Sequence, residues 1–142
     1  MQGFVHDEAS AFFGGLAGNA GLFSTARDVA RVYQMLLNGG EIDGQRYLSK
    51  ETCQLFTTET SKISRRGLGF DKPDADDPKK GNCAPAAPAE VYGHTGFTGT
   101  CAWVDPMNEL VYVFLSNRIY PDVTNRKLNQ LHIRERIQGA IY

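Results

Sequence analysis

The chain lacks an excess of either charge, and this excludes several classes of partner. Its 142 residues carry 15 lysines and arginines against 16 aspartates and glutamates, which gives a formal net charge of −1. Without a basic stripe, the sequence predicts neither a nucleic-acid-binding protein nor one held on an anionic membrane surface. No apolar run approaches the roughly 20 residues of a membrane-spanning helix. The composition is instead that of an ordinary globular domain.

Cysteine is scarce, and the cysteines present form no recognisable framework. Cys53, Cys83 and Cys101 include no Cys-x-x-Cys pair, and an odd number cannot all pair within one chain. They predict at least one free or intermolecular thiol and do not fix a cellular compartment. Residues 1–4 lack the basic start and apolar run of a signal peptide. This abrupt beginning leads us to expect a piece of a longer protein.

Strand-forming residues are concentrated between residues 91 and 117. The stretches 99–105 and 110–117 are rich in β-branched and aromatic residues, and the intervening 106–109 predicts a hairpin turn. A third strand at 91–96 precedes them, so the segment predicts a three-stranded antiparallel meander. Because residues 110–115 are apolar on both alternating faces, we expect this strand to be covered on both sides at the centre of the domain.

Helical periodicity elsewhere makes the predicted fold class α+β, an antiparallel sheet packed with helices. Thr25 followed by Asp28 predicts a helix N-terminus, and an apolar stripe then continues to residue 37. Ser49 predicts the cap of a short helix at 50–57. A final helix is expected at 131–141, packed on the sheet through one face that carries Ile133, Ile137, Ala140 and Ile141.

Residues 71–90 differ in composition from the rest of the chain. Most of the prolines lie here, together with Asp74, Asp76, Asp77 and a lysine pair. Proline, alanine and charged side chains bury too little apolar surface to offset the entropy of ordering them. We therefore expect a long surface loop that leads into the first strand of the meander.

Two features near the N-terminus resemble ligand sites but have simpler interpretations. The His-Asp-Glu run at residues 6–8 has no second set of ligands nearby in sequence, so we favour an exposed loop over a metal site. Gly15, Gly18 and Gly21 are spaced by three, yet no strand precedes them and residues 14–21 contain no Gly-x-Gly. A tight turn with positive φ is therefore favoured over a dinucleotide-binding loop.

The meander also carries a series of short motifs in a fixed order. From residue 94 the chain reads HTGFTG, then WVDP from residue 103 and VYVFLSNRIYP from residue 111; GLFSTA and QMLLNGG occur earlier, at residues 21 and 34. Together these stretches resemble the serine β-lactamase and penicillin-binding-protein family, especially its class C-type esterases and peptidases. The resemblance covers residues 5–70 and 91–142, and omits the proline-rich loop.

This resemblance implies a fold and a substrate-binding wall. The fold would be part of the β-lactamase/transpeptidase fold, with residues 1–142 as the C-terminal portion of one domain: a helical part at 1–70, the loop at 71–90, and the sheet with its final helix at 91–142. His94 would face substrate, Thr95 would offer its hydroxyl, Gly96 would allow close approach, and the Phe97 N–H would be an oxyanion donor. No cofactor and no metal are implied.

The same resemblance draws attention to what is absent. In this family the nucleophile is the serine of a Ser-x-x-Lys motif, and a Tyr-x-Asn or Ser-x-Asn motif supplies a further proton-transfer group. Neither motif occurs in the 142 residues. The resemblance therefore implies the C-terminal part of a hydrolase of amide or ester bonds, related to cell-wall chemistry, that is inactive without the N-terminal part of its domain.

An alternative function stays open at this point. The chain could instead be a non-catalytic binding or scaffolding module of a larger protein, such as one fused to a glycosidase. The first interpretation implies a small or peptide-like substrate for the parent, the N-terminal part of the same domain as a partner, and self-association of the isolated chain. A periplasmic or cell-envelope parent would fit the family, but the sequence itself gives no location.

One departure from the family bears on substrate. Class C β-lactamases carry an asparagine and an arginine just after the last strand, where they hold the substrate carboxylate. Counted without gaps, this chain has Asp122 and Asn125 there. An acid in place of a carboxylate binder argues against a dedicated β-lactamase and favours an esterase, a peptidase that acts on cell-wall fragments, or an inert module.

Overall fold

The computed structural model describes residues 3–58, 61–74, 76–77 and 81–142, and it has the predicted α+β class. A two-stranded hairpin, with two residues in each strand, and a three-stranded sheet are combined with short helices. In chain order the elements are α1 (Glu8–Phe12), α2 (Ala26–Leu37), β1 (Glu41–Ile42), β2 (Gln45–Arg46), α3 (Lys50–Thr57), β3 (Tyr92–Thr95), β4 (Cys101–Asp105), β5 (Leu110–Phe114), α4 (Lys127–Gln130) and α5 (Ile133–Gly139).

Local sequence signals produce the helix starts that were predicted. The Thr25 side chain accepts a hydrogen bond from the Asp28 N–H and caps α2, and Ser49 caps α3 through the Thr52 N–H. Between β1 and β2, Asp43 has φ 52° and Gly44 has φ 73°. Positive φ at both central residues is the geometry of the tight hairpin turn that an Asp-Gly pair favours.

The meander forms in the order β3-β4-β5, with both pairs antiparallel. Its centre, however, is β4 and not the 110–115 strand that the sequence singled out. All five residues of β4 are buried, whereas Tyr112 is the only residue of β5 in that class. Within the described residues β5 pairs with β4 alone, so its second edge is unpaired. Both faces of β5 are nevertheless covered in part, since Tyr112 and Phe114 lie at the core cluster and α2 packs against the strand. Two-faced apolarity therefore predicted the coverage but not the edge position of this strand.

The densest packing lies on one face of the sheet. Cys101, Trp103 and Tyr112 share that face and form the core cluster together with Val91 and Cys83. The indole of Trp103 packs over the neighbouring strand at Gly93, where a Cβ would lie 2.7 Å from Cε3 of the indole. The absence of a side chain at residue 93 thus makes room for the largest core residue. On the opposite face, α2 packs against β4 and β5.

The proline-rich loop was expected at the surface, and this prediction is wrong for the two short parts of it that are buried. Cys83 and Ala84 are 2% and 1% exposed, and Asp71 and Lys72 are buried as well. The Lys72 ammonium donates to the backbone oxygens of Thr57 and Glu90, which ties the loop to the end of α3. The argument from low apolar content failed because polar groups in this loop find partners when they are buried.

Helix α5 packs on one face of the sheet, as predicted, but it turns a different side of the helix inward. Arg134, Glu135 and Gln138 are buried, while Ile137 and Ile141 are 43% and 50% exposed. Hydrogen bonds fix this orientation: Gln138 Oε1 accepts from the Ala84 N–H at 2.8 Å, and the Tyr112 hydroxyl donates to the Arg134 carbonyl. The apolar stripe predicted the helix correctly but not the side that it buries.

The N-terminal features resolve into ordinary structure. Asp7 is the N-cap of α1 and accepts from the Ser10 N–H at 2.8 Å, so the loop predicted at residues 6–8 ends at Asp7 and Glu8 already lies in the helix. Gly15 and Gly21 have φ 88° and 112°, as the turn interpretation requires. In the part of the chain that the structure describes, no helix is long and apolar enough to cross a bilayer.

Candidate functional site

A cavity of about 1100 Å³ lies where the N-terminal segment meets the meander. Its walls come from α1 and the segment before it, the turn that leads into α2, the end of β3 with its following turn, and the residues after β5. His94, Thr95, Gly96 and Phe97 all line it. Segments far apart in sequence therefore converge on the four residues that the sequence singled out.

The imidazole of His94 is exposed at this cavity, and both of its nitrogens have partners. Nδ1 lies 2.7 Å from the Thr95 carbonyl oxygen, and Nε2 lies 3.3 Å from Nη1 of Arg66. His94 pairs with Ala102 across β3 and β4, and Thr95 pairs with Cys101. Because side chains alternate across a strand, His94 and Thr95 leave opposite faces of the sheet.

The turn after β3 presents a backbone donor. The Gly96 N–H donates to the Thr100 carbonyl at 2.8 Å and the Gly99 N–H to the Gly96 carbonyl at 2.9 Å, which closes a tight turn. Among the described residues the Phe97 N–H has no acceptor. A Cβ at residue 96 would lie 2.3 Å from the Thr100 hydroxyl oxygen, so a larger residue would displace the Thr100 side chain.

The ring of Phe97 contacts one aromatic ring and one guanidinium group. His6 stacks on it with ring centroids 5.3 Å apart, and the Arg118 guanidinium lies 4.5 Å from the ring centroid. Arg118 also donates from Nε to the Phe97 carbonyl oxygen at 2.7 Å. Sequence reasoning missed this stack, because residues 6 and 118 lie far from residue 97 along the chain and no motif connects them.

A buried carboxylate behind the site was also missed. Asp71 is 1% exposed, and its carboxylate lies 2.7 Å from Arg65 Nε and accepts from Asn82 Nδ2 at 2.8 Å. Its backbone pairs with Gly93 through hydrogen bonds in both directions, beside the outer edge of β3. Burial alone would raise the pKa of Asp71, but hydrogen bonds from Arg65 and Asn82 together with the charge of Arg65 hold that pKa below its ordinary value.

The comparisons with known proteins agree with this geometry. The model of the β-lactamase family matches residues 2–135. The chain belongs to the β-lactamase family. Its relatives include two proteins named putative D-alanyl-D-alanine carboxypeptidase. The one from Escherichia coli O157:H7 is 37% identical and covers 89% of the chain. The one from Salmonella agona strain SL483 is 36% identical and covers 91%.

A solved structure gives the same assignment. The crystal structure of a penicillin-binding protein homologue from Caulobacter crescentus superposes with a TM-score of 0.53 at 26% identity, and the match covers 66% of this chain and 26% of that one. The chain spans about 30% of the length of the curated relatives. The β-lactamase-family resemblance drawn from the motifs is therefore confirmed, as is the serine-hydrolase-like fold.

The three cysteines of this β-lactamase-family chain are not in environments that activate a thiol as a nucleophile. All three are free and buried. Burial raises the pKa of Cys101, which lines the cavity, to about 11 and that of Cys83 to about 12. Reactive thiols require the opposite shift, toward the thiolate. In the described residues, no group of three or more histidine, cysteine, aspartate or glutamate side chains is arranged to hold a metal ion.

Proposed function

We propose that the chain is the substrate-binding portion of a serine hydrolase of amide or ester bonds, and that it forms the C-terminal part of one catalytic domain. Its relatives are named putative D-alanyl-D-alanine carboxypeptidases, so the substrate class we infer is a peptide that ends in D-alanine. The observation that carries the proposal is the Phe97 N–H. It has no acceptor among the described residues and lies in the turn that lines the cavity.

In this proposal each residue has a separate role at the cavity. Thr95 binds polar groups of the substrate through its hydroxyl, Gly96 lets the ligand approach the backbone, and the Phe97 N–H stabilises the developing oxyanion. His94 orients this wall. One preorganised oxyanion donor contributes a factor on the order of a hundred in rate, but only beside a nucleophile. Because no Ser-x-x-Lys occurs in the 142 residues, we propose that the chain alone binds without turnover.

The proposal is tested by titrating the labelled chain with a peptide ending in D-alanyl-D-alanine and following amide shifts by NMR. We expect shifts centred on residues 94–97 that weaken in Thr95→Ala. Thr124→Ala is the matched control, because that hydroxyl bonds to Asp122 outside the cavity. Absence of shifts at 94–97 would contradict the binding role and favour a scaffolding module.

A second measurement concerns catalysis. Intact mass is recorded after incubation with a reporter β-lactam and with a serine-reactive probe, and we expect the mass to stay unchanged. A stoichiometric adduct on a serine would refute the claim that the nucleophile lies outside these residues.

A further inference from the structure

Arg66 stands out because it reaches the candidate site without being part of any motif. It lies in the segment before Asp71, and its Nη1 is 3.3 Å from Nε2 of His94, a contact that joins residues 28 positions apart. The Arg66 side chain is 51% exposed, and its partner His94 lines the cavity. Neither composition nor periodicity pointed to this residue.

The chemistry of arginine determines the protonation state of its partner. A guanidinium has only donors and does not lose its proton in proteins. The Nε2 atom of His94 must therefore accept, so it carries no proton. The proton then resides on Nδ1, which donates to the Thr95 carbonyl oxygen at 2.7 Å. Both contacts agree on one tautomer, the neutral ring with Nδ1–H, whereas free histidine prefers Nε2–H.

Arg66 also contacts Ser64 and Asp71. Its backbone N–H donates to the Ser64 hydroxyl at 3.1 Å, and its Nε lies 4.0 Å from the buried carboxylate of Asp71. Asp71 is paired through its backbone to Gly93, the residue before His94. Asp71 therefore contacts both the strand that carries His94, through its backbone, and Arg66, through its carboxylate.

We propose that Arg66 is a positioning residue that locks His94 in the Nδ1–H tautomer. Both ring nitrogens are then occupied, so His94 neither takes up a substrate proton nor offers Nε2 to the ligand while this contact lasts. The fixed positive charge beside the His94 ring is the Arg66 guanidinium, and the ring itself is neutral in this contact. This inference rests on the proposed function only where it concerns substrate, because the tautomer is a property of the ligand-free chain.

The test is ¹⁵N–¹H correlation of the histidine side chains in the ligand-free protein, at an alkaline pH where imidazoles are neutral. For His94 we expect Nε2 to resonate as an unprotonated nitrogen and Nδ1 as a protonated one. In Arg66→Met the Thr95 carbonyl still favours Nδ1–H, so we expect the Nε2–H tautomer to become populated beside it and not to replace it. Arg66→Lys, which keeps a donor-only side chain, should keep Nδ1–H as the single tautomer. His6 and His132 serve as internal references that do not change.

Lys62→Met is the matched control, because it removes an exposed positive charge from the same segment without touching His94. Nε2–H at His94 in the unmodified chain would overturn the proposal, whatever the variants do. So would an unchanged tautomer in a folded Arg66→Met variant, with folding judged by amide dispersion. A failed peptide titration with the predicted tautomer intact would overturn the proposed function alone, which keeps the two failures distinguishable.

Discussion

The proline-rich loop and helix α5 lie against the same face of the sheet, yet they relate composition to burial in opposite ways. The loop has few apolar residues, but Cys83 belongs to the core cluster and Ala84 beside it is also buried. The helix has an apolar stripe, but it buries Gln138 and leaves Ile137 43% exposed. The two regions meet directly at the hydrogen bond from the Ala84 N–H to the Gln138 side chain.

This difference teaches that partner availability decides burial here as much as apolar area does. The buried carboxylate of Asp71 has Arg65, Asn82 and the Lys72 N–H as partners, so its burial does not leave an unsatisfied charge. Gln138 satisfies a backbone N–H that would otherwise be buried without an acceptor. An apolar stripe has no such geometric requirement, and its exposure costs only the burial energy that it forgoes.

The comparison is tested most severely at Asp71. Asp71→Asn keeps the shape of the side chain but leaves Arg65 without its counter-charge, and we expect a loss of roughly 2–4 kcal/mol in the free energy of unfolding. This is below the usual range for a fully buried ion pair because Arg65 is partly exposed. Urea denaturation followed by the fluorescence of Trp103 measures it.

Asp76→Asn is the control for this experiment, since it removes an exposed carboxylate from the same loop. We expect it to change the unfolding free energy by about 0.5 kcal/mol or less. Equal effects of the two variants would show that the loop is not anchored through its buried acid.

Acid should weaken the loop by the same route. The pKa of Asp71 lies below its ordinary value of 3.8 in the folded chain, so folding favours the ionised form. The resulting stabilisation is present above about pH 4 and is lost as pH falls through the folded pKa. Midpoints of urea unfolding between neutral and acid pH should therefore decrease, and the decrease should be shallower in Asp71→Asn. Parallel profiles would contradict the assignment to this residue.

Gln138→Leu tests the helix side of the comparison. The substitution adds apolar surface to α5 but leaves the buried Ala84 N–H without an acceptor, and we expect a loss of about 1–3 kcal/mol. Gln130→Leu in α4 is the matched control, because that side chain is exposed. If Gln138→Leu stabilised the protein in urea melts, apolar area and not hydrogen bonding would govern how α5 packs.

Local features of the fold were predictable because they depend on neighbouring residues. The caps at Thr25 and Ser49, the Asp-Gly hairpin turn and the antiparallel order of the meander follow from short-range chemistry, and all are present. The burial of Asp71 was not predictable, because its partners come from residues 6 positions before it and 11 positions after it. Long-range polar partners leave no periodic signal in a sequence.

The candidate site also has a part that the sequence predicted and a part that it did not. The motif at residues 94–97 was found because it is contiguous, and all four residues line one cavity. The groups that hold it, Arg66 on His94 and the His6–Phe97–Arg118 stack, come from distant segments and were missed. The substrate-binding role of residues 94–97 remains a prediction, and the titration proposed above is its test.

The smallest expected change in stability concerns the apolar surface that the comparison leaves exposed. The unpaired edge of β5 and the outward stripe of α5 both present apolar groups, with Leu115 42% and Ile137 43% exposed. Bare strand edges pair with other chains, so we predict that the chain self-associates through this edge or through the stripe.

Leu115→Lys and Ile137→Lys each place a charge at one of the two surfaces and should change the unfolding free energy by only about 0.5 kcal/mol or less. Light scattering across a concentration series then identifies the contact: the variant that shifts the chain toward monomer marks the surface used. A chain that is strictly monomeric at every concentration would refute the edge argument, even though the edge itself is unpaired within the described residues.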